Sequence, residues 1–167
     1  MSLASVYSLP EHRARQLVED GKHLISIGDL DAAIETFQRS VEICATADAY
    51  TYLGWVLSLK GNTDEAIELC KKAIELDPDF GHPMNDLGSY LIQKNRLDEA
   101  IPWLEKAKRA SRYEPRDFPY INLGRVYSLH GKIDQAISEF KRALELVPDH
   151  QEVQNVLAQL EKLKEAS

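Results

Sequence analysis

The sequence predicts an all-α solenoid: four tandem helix–turn–helix repeats closed by a C-terminal capping helix. Three observations predict it. Glycines recur inside helical segments at Gly21, Gly54, Gly88 and Gly124, spaced 33, 34 and 36 residues apart. Ala33, Ala66, Ala100 and Ala136 recur at the same spacings, each followed by an isoleucine (Ile34, Ile67, Ile101, Ile137) and each preceded two places earlier by an aspartate (Asp31, Asp64, Asp98, Asp134). Turn signals fall in the same register, at Gly28-Asp29-Leu30-Asp31, Gly61-Asn62-Thr63-Asp64, Asn95-Arg96-Leu97-Asp98 and Gly131-Lys132-Ile133-Asp134. A fixed period of this length marks an array whose single units cannot bury their own apolar faces and must stack.

The elements follow in order. Ser8 caps a first helix, with Pro10 just inside it and Glu11 three residues on, the pattern of a capping box. In each turn the Gly or Asn takes the left-handed conformation that ends the first helix of the unit. The aspartate that follows is expected to accept backbone N–H bonds at the start of the second helix and to suit its positive dipole end. Asp77-Pro78 and Val147-Pro148 stop the second helices of units two and four, because proline cannot continue a helix. Residues 151–164 continue as a ninth helix. Val153, Val156, Leu157, Leu160 and Leu163 form its apolar stripe, while Gln151, Gln154, Gln159, Glu161 and Lys164 face outward. Such a polar-backed helix covers the last open core surface of a solenoid.

The small residues have a packing reason. Glycine at the eighth place of the first helix and alanine at the twentieth place of the unit let two helices approach closely. Ser40, Ala73, Ala107 and Ala143 sit where the second helix meets the next unit. Larger residues fill the space between: Leu17 and Leu24, Tyr50 with Leu53 and Leu57, Leu87 and Leu91, Tyr120 with Leu123 and Tyr127. Phe37, Cys70, Leu104 and Phe140 share one column of the second helix. A leucine in place of Gly88 is expected to overpack this seam by about 1–3 kcal/mol.

These residues resemble the tetratricopeptide repeat family. The clearest matches are Tyr50-x2-Leu53-Gly54-x2-Leu57…Ala66…Ala73…Pro78 and Tyr120-x2-Leu123-Gly124-x2-Tyr127…Ala136-x3-Phe140-x2-Ala143…Pro148. The resemblance covers residues 14–150 and implies a right-handed α–α superhelix. It divides the chain into an N-terminal extension (1–9), four repeats (10–46, 47–80, 81–116, 117–150) and a capping helix (151–167). Two places depart from the pattern. Ala45 stands where the family has proline, and unit three lacks that proline and carries two extra residues in Ser111-Arg112-Tyr113-Glu114-Pro115. Units three and four are therefore expected to stack at a changed angle.

Bulk properties exclude several functions. Twenty Lys and Arg against 27 Asp and Glu leave a net charge of −7, which repels phosphate backbones, so nucleic acid is not the expected partner. The charge also favours solubility. Cys44 and Cys70 form no CxxC pair or metal-type spacing, so reduced thiols are expected. The start of the chain has no secretory pattern, and no stretch approaches the roughly 20 apolar residues of a membrane span. A cytoplasmic protein without membrane insertion is expected.

No catalytic, metal or cofactor constellation is present in the sequence. His12, His23, His82, His130 and His150 form no HExxH or other local metal pair, and there is no GxGxxG or P-loop. Cys70 lies in the core column, and Cys44, at a helix end, reads as a structural thiol rather than a nucleophile. Asp64-Glu65 and Asp98-Glu99 fit helix starts better than acid–base work. The expectation is no enzyme and no cofactor.

Function is sought instead on the face that the resemblance implies. In this family the second, fifth, ninth and twelfth places of the first helices line a concave groove. They are Arg15, Val18, Lys22 and Ile25 in unit one; Asp48, Thr51, Trp55 and Ser58 in unit two; His82, Asn85, Ser89 and Ile92 in unit three; and Phe118, Ile121, Arg125 and Ser128 in unit four. Trp55 and Phe118 are large aromatics that packing within a unit does not explain, and Trp and Arg are enriched at binding hot spots. Asn85 suits a peptide backbone, and Lys22 or Arg125 suits an acid. Against this stands the reading that Trp55 packs on neighbouring helices and the face is merely solvated.

Members that bind acidic chaperone C-termini use a set of Lys, Asn and Arg that this chain lacks. Starting at unit one the places hold Val18, Lys22, Tyr52, His82 and Asp86; starting at unit two they hold Thr51, Trp55, Asp86, Phe118 and Asn122. A co-chaperone of that type is therefore not expected. Lys106, Lys108, Arg109, Arg112 and Arg116 form a basic cluster that suits a helix C-terminus, with a phosphate or acidic partner as the rival reading. Trp103 and Leu69 either form a small apolar patch or are partly buried. The expected function is a scaffold or adaptor that binds a peptide segment or helix of a partner protein. The alternatives are a self-assembling homo-oligomeric module, stacked head to tail or paired through Trp103, and the targeting part of a larger enzyme complex.

Overall fold

A computed structural model describes residues 8–166. Residues 1–7 of the expected N-terminal extension, and Ser167, lie outside the described residues. Among the described residues the chain forms nine helices and no strand: α1 (Leu9–Ser26), α2 (Leu30–Ile43), α3 (Ala47–Leu59), α4 (Thr63–Leu76), α5 (Gly81–Gln93), α6 (Leu97–Arg109), α7 (Phe118–Leu129), α8 (Ile133–Leu146) and α9 (Gln151–Glu165). They group into two compact units, Met1–Pro78 and Asp79–Ser167. In the first, α1 packs on α2, α2 on α3 and α3 on α4. In the second the order is α5 on α6, α6 on α7, α7 on α8 and α8 on α9.

Helix starts and stops follow local chemistry. The Ser8–Glu11 capping box is present: the Glu11 N–H donates to Ser8 Oγ, and the Ser8 N–H donates to the Glu11 carboxylate at 2.7 Å. Those bonds hold the Glu11 carboxyl below its usual range. The turn residues Gly28, Gly61, Asn95 and Gly131 all take positive φ, between 57° and 87°.

The aspartates differ from expectation. The N-caps of α2, α4, α6 and α8 are Asp29, Asn62, Arg96 and Lys132, so Asp31, Asp64, Asp98 and Asp134 sit two residues inside their helices. Of these four caps only Asp29 accepts a capping bond at its side chain, from the Ala32 N–H at 3.1 Å. The inner aspartates still suit the helix dipole. Three of them reach the end of a later helix instead. Asp31 pairs with Lys60, Asp98 lies 3.5 Å from His130, and Asp134 lies 2.5 Å from Lys164. All three aspartates are exposed, so each pair contributes little, roughly 0–1 kcal/mol.

Each unit is nested on small residues. A Cβ at Gly21 would lie 2.5 Å from the Phe37 ring, one at Gly88 2.5 Å from Leu104, and one at Gly124 2.7 Å from Phe140. Gly54 is looser, with the Ala66 carbonyl oxygen at 3.3 Å as the nearest atom. Its column partner is Cys70, the smallest of that set, so no large side chain presses on it. Ser40, fully buried, donates its hydroxyl to the Ala14 carbonyl at 2.8 Å and so ties α2 to α1. On α9, Val153 and Leu157 close the core beside Phe140, whereas Leu163, expected in the stripe, is 54% exposed near the end of the helix.

The two extra residues of unit three form a local clasp. The Arg112 N–H donates to the Asp79 carbonyl, and the Arg112 carbonyl accepts from Gly81 N–H at 3.0 Å. This seats Tyr113 on Gly81, where a Cβ would lie 2.5 Å from the tyrosine's own Cβ. Only a glycine at 81 leaves room for the returning loop.

Candidate functional site

Within each unit the first helices of successive repeats touch, α1 with α3 and α5 with α7. Residues chosen from the sequence on neighbouring first helices are thereby brought near one another within each unit.

In the first unit, Val18 and Thr51 are buried. Val18 belongs to the core with Phe37, Leu53 and Leu69, and Thr51 turns its hydroxyl back to the Ala47 carbonyl at 2.7 Å. Both build the floor and offer nothing to a ligand. Ile25 packs partly against the same core. Arg15 is exposed and Asp48 half-buried, while Ser58 bonds the Trp55 carbonyl. Lys22 pairs with Glu19 at 3.0 Å and lies 5.5 Å from the Tyr52 ring centre. The Glu19 bond, chiefly, holds the Lys22 ammonium above its ordinary pKa. Trp55 is 39% exposed. Its ring meets Tyr52 edge-on at 6.5 Å, and Tyr52 stacks on buried Phe37 at 5.7 Å. The tryptophan is thus braced on the core and presents an open edge. Tyr52 is the element that the chosen places missed: it sits one place beyond Thr51, and only the contact with Phe37 reveals its role.

In the second unit, Phe118 is 44% exposed and Arg125 is exposed. Ser89 and Ile92 are half-buried, Ile121 packs against the core of α8 and α9, and Ser128 bonds the Gly124 carbonyl. Asn85 is buried. It accepts a bond from the Asn122 side-chain amide at 3.0 Å, so it holds its neighbour rather than an open bonding position. Its side chain also bonds Asp86, whose carboxyl is pushed up to about 7 by burial. His82 meets the Tyr113 ring edge-on at 4.9 Å. Tyr113 and Asp117, both buried, complete this polar floor. Asp86, Tyr113, Asp117 and Asn122 were not chosen from the sequence. The only sequence signal was the 36-residue spacing, because the insertion supplies Tyr113 and sets Asp117.

The other predicted features resolve differently. The basic cluster is partly paired: Lys106, Arg109, Arg112 and Arg116 are exposed, whereas Lys108 is half-buried. Lys108 lies between Glu105 and Glu139, each at 3.2 Å, and 4.7 Å from the Tyr120 ring centre. Lys106 covers Trp103 at 4.3 Å, Arg112 stacks on Phe80 at 3.9 Å, and Arg116 pairs with Glu114. Leu69 is buried in the first unit's core and so does not form a surface patch. Cys70 is fully buried, and Cys44 is half-buried at the end of α2. Among the described residues no group of three or more His, Cys, Asp or Glu is placed to hold a metal ion, and no helix is long and apolar enough to cross a membrane.

The tetratricopeptide repeat family matches over residues 47–80 and again over 82–149. BBSome complex member BBS4 of Bos taurus is 29% identical over 136 residues, which cover 78% of this chain and 26% of BBS4. The type IV pilus assembly protein PilF of Pseudomonas aeruginosa is 27% identical over 130 residues, about half of its own length (52%). The solved PilF structure superposes with a TM-score of 0.89 at 24% identity, covering 95% of this chain and 72% of that one. MamA gives a TM-score of 0.71 at 27% identity, covering 81% and 78%.

Proposed function

The chain belongs to the tetratricopeptide repeat family, with the all-α superhelical fold of that family, and on this premise we propose that it is a non-enzymatic adaptor that holds a segment or helix of a partner protein on the first-helix faces of its repeats. Repeats of this kind are, in general, protein–protein interaction scaffolds. The names of similar proteins, a complex member and a pilus assembly protein, accord with a role in assemblies. These relatives come from a mammal and a bacterium, so the partner and compartment are not inherited with the fold.

The observation that carries the proposal is the posture of Trp55. Trp55 gives only part of its surface to packing. It is held edge-on by Tyr52, over the buried ring of Phe37, with 39% of its surface open. A large ring fixed before binding loses little freedom when a partner covers it, and this is the character of a hot-spot anchor. Phe118 offers a second open ring in the other unit.

Peptides selected for binding from a displayed library test this reading by calorimetry. Trp55→Ala and Arg125→Ala are expected to keep the helical circular dichroism of the parent and to weaken the selected peptides about tenfold, or about 1.4 kcal/mol. If both variants fold and bind the peptides as tightly as the parent, these faces are not the binding surface.

A further inference from the structure

We propose that the second unit carries a socket for a cationic side chain, an arginine or lysine of the partner, formed by Asp86, Asp117 and Tyr113. The proposal rests on the groove reading above and names the chemistry that this face selects.

Three observations carry it. First, Asp117 has a side-chain oxygen, Oδ1, that is buried and makes no hydrogen bond, in a residue only 4% exposed. It stands at the start of α7 yet makes no side-chain capping bond there. A buried carboxylate oxygen without a donor is costly, roughly 1–3 kcal/mol, and such groups are rare in folded proteins. Second, Asp86 is half-buried, and its one hydrogen-bonding side chain is Asn85, itself held by Asn122. Among the described residues no cation is paired with either aspartate. Third, both carboxylates bear on one group: the Tyr113 hydroxyl is driven far above the ordinary tyrosine range by burial first, then by Asp86 and Asp117. Both acids thus act on one phenol, and the His82 ring meets the Tyr113 ring edge-on at 4.9 Å.

What Asp86 lacks is a positive donor. Elsewhere on the chain half-buried acids have theirs, as Glu139 has Lys108. A guanidinium or ammonium entering at the open part of Asp86 would supply N–H groups to the carboxylates, and such charge-assisted bonds are stronger than neutral ones. Arginine suits the place best, because its planar group also lies well against the rings of Tyr113 and His82. A calcium ion does not fit: it takes six to eight oxygens, and two carboxylates beside a neutral phenol fall short. The net charge of −7 adds a long-range attraction for basic segments.

The test uses the whole chain, 15N-labelled, in about 50 mM salt, where surface attraction is not yet screened away. The probes are acetyl-Gly-Ser-Arg-Ser-Gly-amide and the same peptide with neutral citrulline in place of arginine. The arginine peptide is expected to move the amide signals of residues 82–89 and 113–122, and the citrulline peptide to bind at least about tenfold more weakly. Asp86→Asn, the same shape without the charge, is expected to remove that difference. Equal shifts from both peptides, shifts spread over the surface, or no localised shift up to about 10 mM would each overturn the socket. If Asp86→Asn does not fold, the comparison of the two peptides on the parent chain decides alone. Loss of the socket while selected peptides still depend on Trp55 leaves the adaptor reading standing. Loss of both ends it.

Discussion

The space left by the missing side chain of Gly88 is occupied by Leu104: a Cβ on Gly88 would lie 2.5 Å from Leu104 Cδ2 and 2.6 Å from its Cγ. Leu104 is fully buried. A Cβ on Gly54 would meet only ordinary contacts or nearly so, 3.3 Å to the Ala66 oxygen and 3.4 Å to Leu69. Alanine is the better helix former by about 1 kcal/mol. Overpacking outweighs that gain at 88 and does not at 54. In urea titrations Gly88→Ala is expected to lose about 1–3 kcal/mol, while Gly54→Ala stays within about 1 kcal/mol of the parent. Equal losses at the two sites would contradict the seam.

Ser40 bonds the Ala14 carbonyl from a fully buried position. Alanine there fits the space but removes the donor. Ser40→Ala is expected to cost about 1–2 kcal/mol by thermal or urea unfolding. A neutral result would mean that the hydroxyl serves only as a small group.

Lys108 joins α6 to α8 through Glu139. The pair is evenly balanced. The lysine's pKa is raised, although burial opposes this, because Glu139 and Glu105 hold its charge; burial nevertheless leaves the Glu139 carboxyl above its usual value. Intact, the pair contributes little, but removing one partner strands the other. Lys108→Met is expected to lose about 1–3 kcal/mol at pH 7. Without the lysine the folded pKa of Glu139 rises further, so the loss is present at neutral pH and shrinks as pH falls and Glu139 takes up a proton. Adding Glu139→Leu is expected to restore most of the stability, and a double variant no better than the single one would refute the pairing.

Asp86 supplies a prediction of pH dependence. Its folded pKa, about 7, lies above the ordinary 3.8. The folded state thus binds the proton more tightly, and ionisation costs stability as pH rises from about 4 through 7. Asn85 bonds it and Tyr113 feels its charge, and no cation contributes to holding it ionised. Asp86→Asn is expected to unfold at higher urea than the parent at pH 8, by about 1–2 kcal/mol after allowing for the side chain's partial exposure. The advantage should fade towards pH 4. A variant less stable than the parent at pH 8 would show that Asp86 is already compensated.

The repeat was legible because close helix approach admits only small side chains, so Gly21, Gly88 and Gly124 and the alanine columns had to recur. The turns were legible for a similar reason, since Gly28, Gly61, Asn95 and Gly131 require positive φ. Asp31 and its equivalents were misplaced because aspartate suits both a cap and the first turn beyond it, and composition does not separate the two. Val18 and Thr51 fall at groove places by number, but their side chains are used in packing. The floor around Asp86 was not legible at all. It depends on Asn122 meeting Asn85 across 37 residues and on a loop returning to Gly81. Neither contact follows a helical period.

Hydrogen exchange of the chain with and without a selected peptide tests the adaptor assignment most directly, because it reports which helices the guest covers. Added protection is predicted in α1, α3, α5 and α7, centred on Trp55 and on the stretch from Phe118 to Arg125. Protection confined to α2, α4, α6 and α8, with Trp55 and Arg125 exchanging as in the free chain, would contradict it.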